Sequence, residues 1–228
     1  MARQERAART RRAILVAAGE VFDEVGYEAA TISEILKRSG VTKGALYFHF
    51  SSKAELAQCV LDEQVNSLPV VPQRELSLQR SLDEALLLAY LLKRDTGDAI
   101  VQGSVRLTVD QGVLRDSLDR RVPMQDWERH TLDVLREAKA AGEILPHVDL
   151  PRVTKVMVGA MTGVQVLSNI MTNRSDMPER VIDLYRHVLP AIAVPAVLSR
   201  MDFSPERAER VYKEAMELRR DKEAAEPV

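Results

Sequence analysis

The chain has 228 residues, 46% of them apolar and 29% charged, with a net charge of −2. It is long enough to bury a sizeable core in one or two domains, and too balanced to hold a polyanion by overall charge alone. The single cysteine, Cys59, excludes an intrachain disulfide and a zinc held by a cysteine pair, and no apolar run reaches the roughly 18 residues of a membrane span.

Aromatic residues make up only 4%, and Ala, Leu, Glu and Arg dominate, which predicts an all-α fold. The arginine-rich start lacks the apolar core of a signal peptide, so the expected location is the cytoplasm. Residues 1–10 read as a basic arm, with Arg3 and Arg6 as candidate phosphate or minor-groove contacts. The plainer alternative is a tail that only raises solubility. A first helix is predicted from about Thr10 to Val25, with Ile14, Ala17, Ala18, Val21, Phe22 and Val25 on one stripe and Gly26 ending it. Thr31 and Glu34 form a reciprocal capping pair that opens a second helix, with Ile32, Ile35 and Leu36 as its apolar face and Gly40 as its stop. Thr42 caps a short third helix carrying Lys43, Gly44, Ala45, Tyr47 and His49. Leu46, Phe48 and Phe50 are expected beneath it, leaving Lys43, Gly44, Tyr47 and His49 free. Ser52 and Glu55 repeat the capping pair for a fourth helix, which Pro69 and Pro72 end.

Beyond Pro72 the pattern stays helical. Ser81–Arg94 is leucine-rich and apolar on most sides, so it is expected to be buried. A loop follows at residues 95–98, then shorter helices over 100–109 and 113–121. Pro123 opens a long helix that stops at Gly142. Asp149 with Pro151, Asp176 with Pro178 and Ser204 with Pro205 open three more, and Pro190 and Pro195 break the chain between the last two.

Two short helices across a glycine turn form a helix-turn-helix, whose second helix can enter a DNA major groove. Charge is sorted to match. Residues 1–12 carry net +4, residues 13–36 net −5 and residues 37–53 net +4. The candidate DNA contacts are therefore Arg3, Arg6, Thr31, Thr42, Lys43, Gly44, Tyr47, His49 and Lys53. Glycine in a helix costs about 0.5–1 kcal/mol relative to alanine, which suits Gly44 if the backbone must approach a phosphate or base closely. A short helix that merely tolerates glycine is the bland alternative.

The stretch GVTKGALYFHFSSKAEL closely resembles the DNA-binding signature of the TetR family of transcriptional repressors, and VFDEVGYEAATISEILKRSGVTKG extends the match upstream. The resemblance implies a three-helix helix-turn-helix head over residues 1–53 and a helical ligand-binding and dimerisation bundle over 54–228. It also implies a homodimer on a roughly palindromic operator. Val153, Val156, Met157, Ala160, Met161, Val164 and Leu167, with Val181, Leu184, Tyr185, Val188 and Leu189, are candidate interface stripes. Intrachain core is an equal reading of them from the residues alone.

A narrower resemblance lies in ARQERA, IVQGSVRLTVDQG and VPMQDW, which look like the γ-butyrolactone autoregulator receptors of streptomycetes. In that group a tryptophan covers the ligand, and Trp127 stands at the matching position. A lactone with an alkyl chain is mostly apolar and wants an apolar tunnel with few polar groups. Leu88, Val158 and Met161 are candidate walls, and Gln64 and Thr162 candidate hydrogen-bonding groups. Two alternatives remain, a pseudo-receptor answering to antibiotics or their precursors and a drug-responsive efflux repressor. Pseudo-receptors tend to be basic, as the resemblance implies, so a pI near 6.1 favours the lactone reading, and the scarcity of aromatics argues against a pocket for cationic drugs.

No hydrolase, dinucleotide, phosphate-loop or zinc-protease motif is present, and His49, His130, His147 and His187 are too scattered for a metal set. No catalytic residue, metal or cofactor is expected.

Overall fold

The computed structural model describes residues 2–93, 97–110 and 117–225. The helices are α1 (Ala2–Ala29), α2 (Ile32–Ser39), α3 (Lys43–His49), α4 (Lys53–Asn66), α5 (Ser77–Leu92), α6 (Ala99–Val109), α7 (Arg121–Ala140), α8 (Leu150–Thr172), α9 (Met177–Val188), α10 (Pro195–Leu198) and α11 (Arg207–Ala225). A 3₁₀ turn at Leu189–Ala191 and the short α10 occupy the break expected from Pro190 and Pro195. Much of the expected 95–98 loop, Gly112 and the start of the expected 113–121 helix lie outside the described residues. Among those described, no helix is long and apolar enough to cross a membrane.

The chain forms two compact units, Met1–Leu68 with Gly97–Gln125 and Pro69–Thr96 with Asp126–Val228. The first packing unit therefore takes in α4 and α6 as well as the head residues 1–53.

In the first unit, Ile14, Leu15, Ala18, Phe22, Ile35, Leu46, Phe50, Leu56 and Leu61 are buried in one apolar core. α6 packs along α1 and α4. The α1–α6 crossing is backbone to backbone. A Cβ on Gly19 would lie 2.4 Å from the Ala99 carbonyl oxygen, and one on Gly103 would lie 2.5 Å from the Gly19 oxygen and 2.6 Å from its Cα.

The basic arm is a correction. Its alanines, arginines and glutamine are strong helix formers, so α1 runs back to Ala2. Gly26, at φ 73°, interrupts α1 rather than closing it, and a last helical turn carries the chain to Ala29.

In the second unit, α5 packs against α9 and α11, and α8 against α9. α5 has no side-chain cap of its own. Its first N–H groups are taken by a distant residue: the Glu143 carboxylate accepts from Ser77 N and Leu78 N, both at 2.8 Å. α5 also buries a charge that its leucine pattern conceals. Asp83 is fully buried and held by Arg74 (2.6 Å) and Arg207 (2.5 Å). In the α9 stripe, Val181, Tyr185 and Leu189 are buried within the chain, and Leu184 and Val188 are half-buried.

The α8 stripe divides. Leu150, Thr154 and Met157 turn inward. Val156, Gly159, Leu167, Ile170 and Met171 are exposed, Ile170 and Met171 by 69% and 68%, with open space above Gly159 and Gly163.

Candidate nucleic-acid interface

α2 and α3 are set by their caps. Thr31 Oγ1 accepts from Glu34 N and Thr42 Oγ1 from Ala45 N, each at 3.2 Å. Between them Gly40, at φ 66°, sends its N–H to Leu36 O at 3.1 Å and turns the chain. Neither capping pair is reciprocal as expected. Glu34 turns its carboxylate to Arg38, and Glu55 reaches past Ser52 to the Ser51 N–H at 2.6 Å and the Ser51 hydroxyl. Those bonds hold the Glu55 carboxyl below its ordinary range.

Leu46 and Phe50 anchor α3 in the core, which leaves the opposite side open. Lys43, Gly44 and Tyr47 are exposed, and a Cβ on Gly44 would meet nothing within 4 Å. The Lys43 ammonium lies 5.9 Å from the Tyr47 ring centroid, within reach of a cation–π attraction. His49 is half-buried between Phe48 and Phe50.

Phe48 is a second correction. It is 80% exposed rather than buried. Residues 46, 48 and 50 alternate with period two, whereas a helix turns 100° per residue, so burying Leu46 throws Phe48 to the far side. Phe48 stands one turn beyond Gly44, and that spacing is the signal that places it on the open face.

Two basic groups counted toward the interface are engaged within the protein. Arg38 donates to both oxygens of Glu24, at 2.7 and 2.5 Å, and to Glu34 at 3.2 Å. Lys53 is the third correction. Its Nζ donates to the carbonyls of Tyr27 (2.9 Å), Glu28 (3.3 Å) and Ala30 (3.1 Å), and lies 4.5 Å from the Tyr27 ring centroid. An ammonium has three protons, and all three are occupied in holding the end of α1. Among the described residues of 37–53, Lys37 and Lys43 are the cations that neither pair with a carboxylate nor donate to a backbone carbonyl.

Of the arm residues, Arg6 is exposed on α1, and the Arg3 side chain lies outside the described ones. Arg11 lies over the Phe50 ring at 5.3 Å, and Arg12 faces Asp98 at 3.9 Å.

The candidate effector residues fall in both units. Gln64 is buried in the first, where its Oε1 accepts from Thr108 at 3.4 Å. Leu88, Trp127, Val158, Met161 and Thr162 belong to the second. Leu88 is buried, and the Thr162 hydroxyl donates to Val158 O at 3.0 Å within α8. Trp127 is half-buried, edge-on to His130 with ring centroids 6.4 Å apart. His130 bonds Glu84 and Arg80 bonds Glu137, so α5 and α7 run antiparallel. Leu88 and Trp127 each lie about one turn past the His130–Glu84 tie, at the same end of the pair.

A capped helix-turn-helix on a buried platform, followed by an all-helical bundle, is the layout of a DNA-binding regulator. Residues 14–60 match the family described as bacterial regulatory proteins, tetR family, and the chain belongs to the TetR family. It is 37% identical to the A-factor receptor protein of Streptomyces griseus, over 96% of this chain and 79% of that one. Its fold superimposes with a TM-score of 0.86 on TylP, a TetR regulator from Streptomyces fradiae, at 58% identity over 92% and 99% of the two chains. A γ-butyrolactone receptor described as ArpA-like aligns at 25% identity and a TM-score of 0.66, over 91% and 99%. Fold and relatives are those of transcriptional regulators, not of enzymes.

Proposed function

We propose that this TetR-family regulator represses transcription by binding a pseudo-palindromic operator as a homodimer. A γ-butyrolactone or butenolide-type signal releases it, freeing genes of antibiotic production or development. The observation that carries the DNA reading is the open side of α3, where Lys43, Gly44, Tyr47 and Phe48 stand clear of the core. Lys43 supplies a phosphate contact, Gly44 close backbone approach, and Phe48 an apolar surface suited to a thymine methyl. Thr31, Thr42, Tyr47 and His49 add polar contacts, and Arg6 a flanking charge. Residues 1–53 serve as the reading head and 54–228 as the effector and dimer region.

The exposed apolar ridge of α8 supports the dimer, since contiguous apolar surface of this kind marks association sites. The names of the A-factor receptor and of the γ-butyrolactone receptor support the effector class. Trp127 and Leu88, at one end of the α5–α7 pair, suit an apolar ligand. Effector capture shifts α4 and changes the separation of the two heads, with a coupling of about 1–3 kcal/mol.

The test follows operator binding by fluorescence anisotropy while γ-butyrolactones and butenolides are titrated. Saturable release at low ligand concentration, lost in Trp127→Ala with operator binding intact, supports the proposal. A Trp127→Ala protein that stays fully responsive would overturn the effector site.

A further inference from the structure

The second unit contains one titratable ring placed between the candidate effector lid and a carboxylate on another helix. His130 Nε2 lies 2.8 Å from Glu84 Oε2, and the same ring stands edge-on to Trp127 one turn earlier on α7. Trp127, His130 and Glu84 thus form a continuous chain from α7 to α5. Arg80 faces Glu84 at 3.7 Å from the same helix and also bonds Glu137. On α7 itself, Asp133 pairs with Arg136 at 2.9 Å, and Asp126 pairs with Arg129. Among the side chains of this group, imidazole is the type whose charge changes near neutral pH.

We propose that His130 is a positioning residue for Trp127. Its imidazolium, held by Glu84, fixes the Trp127–His130 turn of α7 against α5 and makes effector capture depend on pH. The inference deepens the effector reading above and rests on it. With the ring protonated, the tie is a charge-assisted hydrogen bond, and Trp127 keeps an anchored partner. With the ring neutral, the ionic part is lost and Trp127 stands beside a loosely held imidazole. The Glu84 hydrogen bond raises the imidazole pKa above its ordinary 6.5, against burial and the Arg80 charge. The His130 side chain is 44% exposed, so the ionic part is worth only a few-fold in affinity.

Because Trp127 is the only tryptophan, its emission reports this chain of contacts directly in the full-length protein. With no effector present, emission should fall as His130 protonates, with a midpoint above about pH 6.5. In His130→Gln the transition should vanish. In Glu84→Gln it should move to lower pH. Glu137→Gln, which removes the neighbouring tie, should keep the transition. A transition that survives unchanged in His130→Gln or Glu84→Gln overturns the proposal.

A second arm titrates the γ-butyrolactone and butenolide panel at pH 6 and pH 8. Wild type should bind roughly two- to fivefold more tightly at pH 6, and His130→Gln should bind equally at both. Equal wild-type affinity at the two pH values overturns the proposal. A normal emission transition with no binding across the panel supports the positioning chain and overturns the lactone reading instead.

Discussion

Gly103→Ala tests the α1–α6 crossing. A methyl at position 103 would lie 2.5, 2.6 and 2.9 Å from Gly19 O, Cα and C, all backbone atoms of a helix interior. Ordinary contact begins near 3.4 Å, so the two helices must part by most of an ångström along the whole crossing. Over-packing of this kind costs about 1–3 kcal/mol. Helix propensity acts the other way, favouring alanine by about 0.5–1 kcal/mol. At mid-range the steric term is larger, and the net expectation is a loss of about 1 kcal/mol within a span of about 0–2.5 kcal/mol. For a chain of this size, 1 kcal/mol corresponds to about 2–4 °C, so Tm should drop by about that much. Thermal unfolding followed by circular dichroism measures it. An unchanged or raised Tm is what propensity alone demands, and it would refute the backbone contact.

The remaining expectations concern the head, the dimer and acid. Gly44→Ala meets open space, so it should raise stability by about 0.5–1 kcal/mol in thermal unfolding while weakening operator binding in anisotropy. Retention of full operator affinity would remove close backbone approach as the reason for glycine there. Lys43→Ala should reduce operator affinity and shallow its dependence on salt by about one phosphate contact, measured from 50 to 200 mM salt. Lys53→Met, in contrast, should leave the salt slope unchanged and lower the urea midpoint, because three carbonyls lose their donor. Ile170→Glu on the exposed α8 ridge should yield monomers in sedimentation, and an unaltered dimer would move the interface elsewhere. Burial alone would raise the Asp202 carboxyl, but bonds from Ser204 and Arg207 overcome it and hold the pKa at about 2. A depressed carboxyl stabilises the fold above its unfolded pKa, and that contribution is lost as pH falls from about 4 toward 2. The urea midpoint should drop across that window, and less so in Asp202→Asn.

The head was legible because its signals are local. Thr31, Gly40 and Thr42 act on groups within four residues, so caps and turn could be read directly. Phe48 was misplaced through the wrong period, which the i+4 step from Gly44 could have corrected. The hold of Lys53 on the end of α1 and of Arg38 on Glu24 was not legible, since those partners lie 14 to 26 residues away and are fixed only when α1 packs on α2, whereas the i,i+4 pair of Arg38 with Glu34 is local. In the second unit the shortfall is larger for the same reason. Nothing near Ser77 announces that Glu143 caps α5, and nothing in a leucine-rich helix announces that Asp83 will meet Arg207. The apolar pattern of α8 specified a helix, yet it did not separate inward from outward residues, because both sides are apolar.

Those long-range partners also set an order of events during synthesis. Every element of the first unit has been made once residue 125 leaves the ribosome. The second cannot close until Arg207 and Glu214 emerge to meet Asp83 and Arg74 on the α5 side. At about 5–20 residues per second, the intervening 90 or so residues take roughly 4–18 s. During that interval the leucine-rich α5 waits first without α9 and then without α11, while the DNA-reading unit is already whole. The nascent chain therefore passes through a stage in which its α3 face is finished and its bundle still shows its leucines.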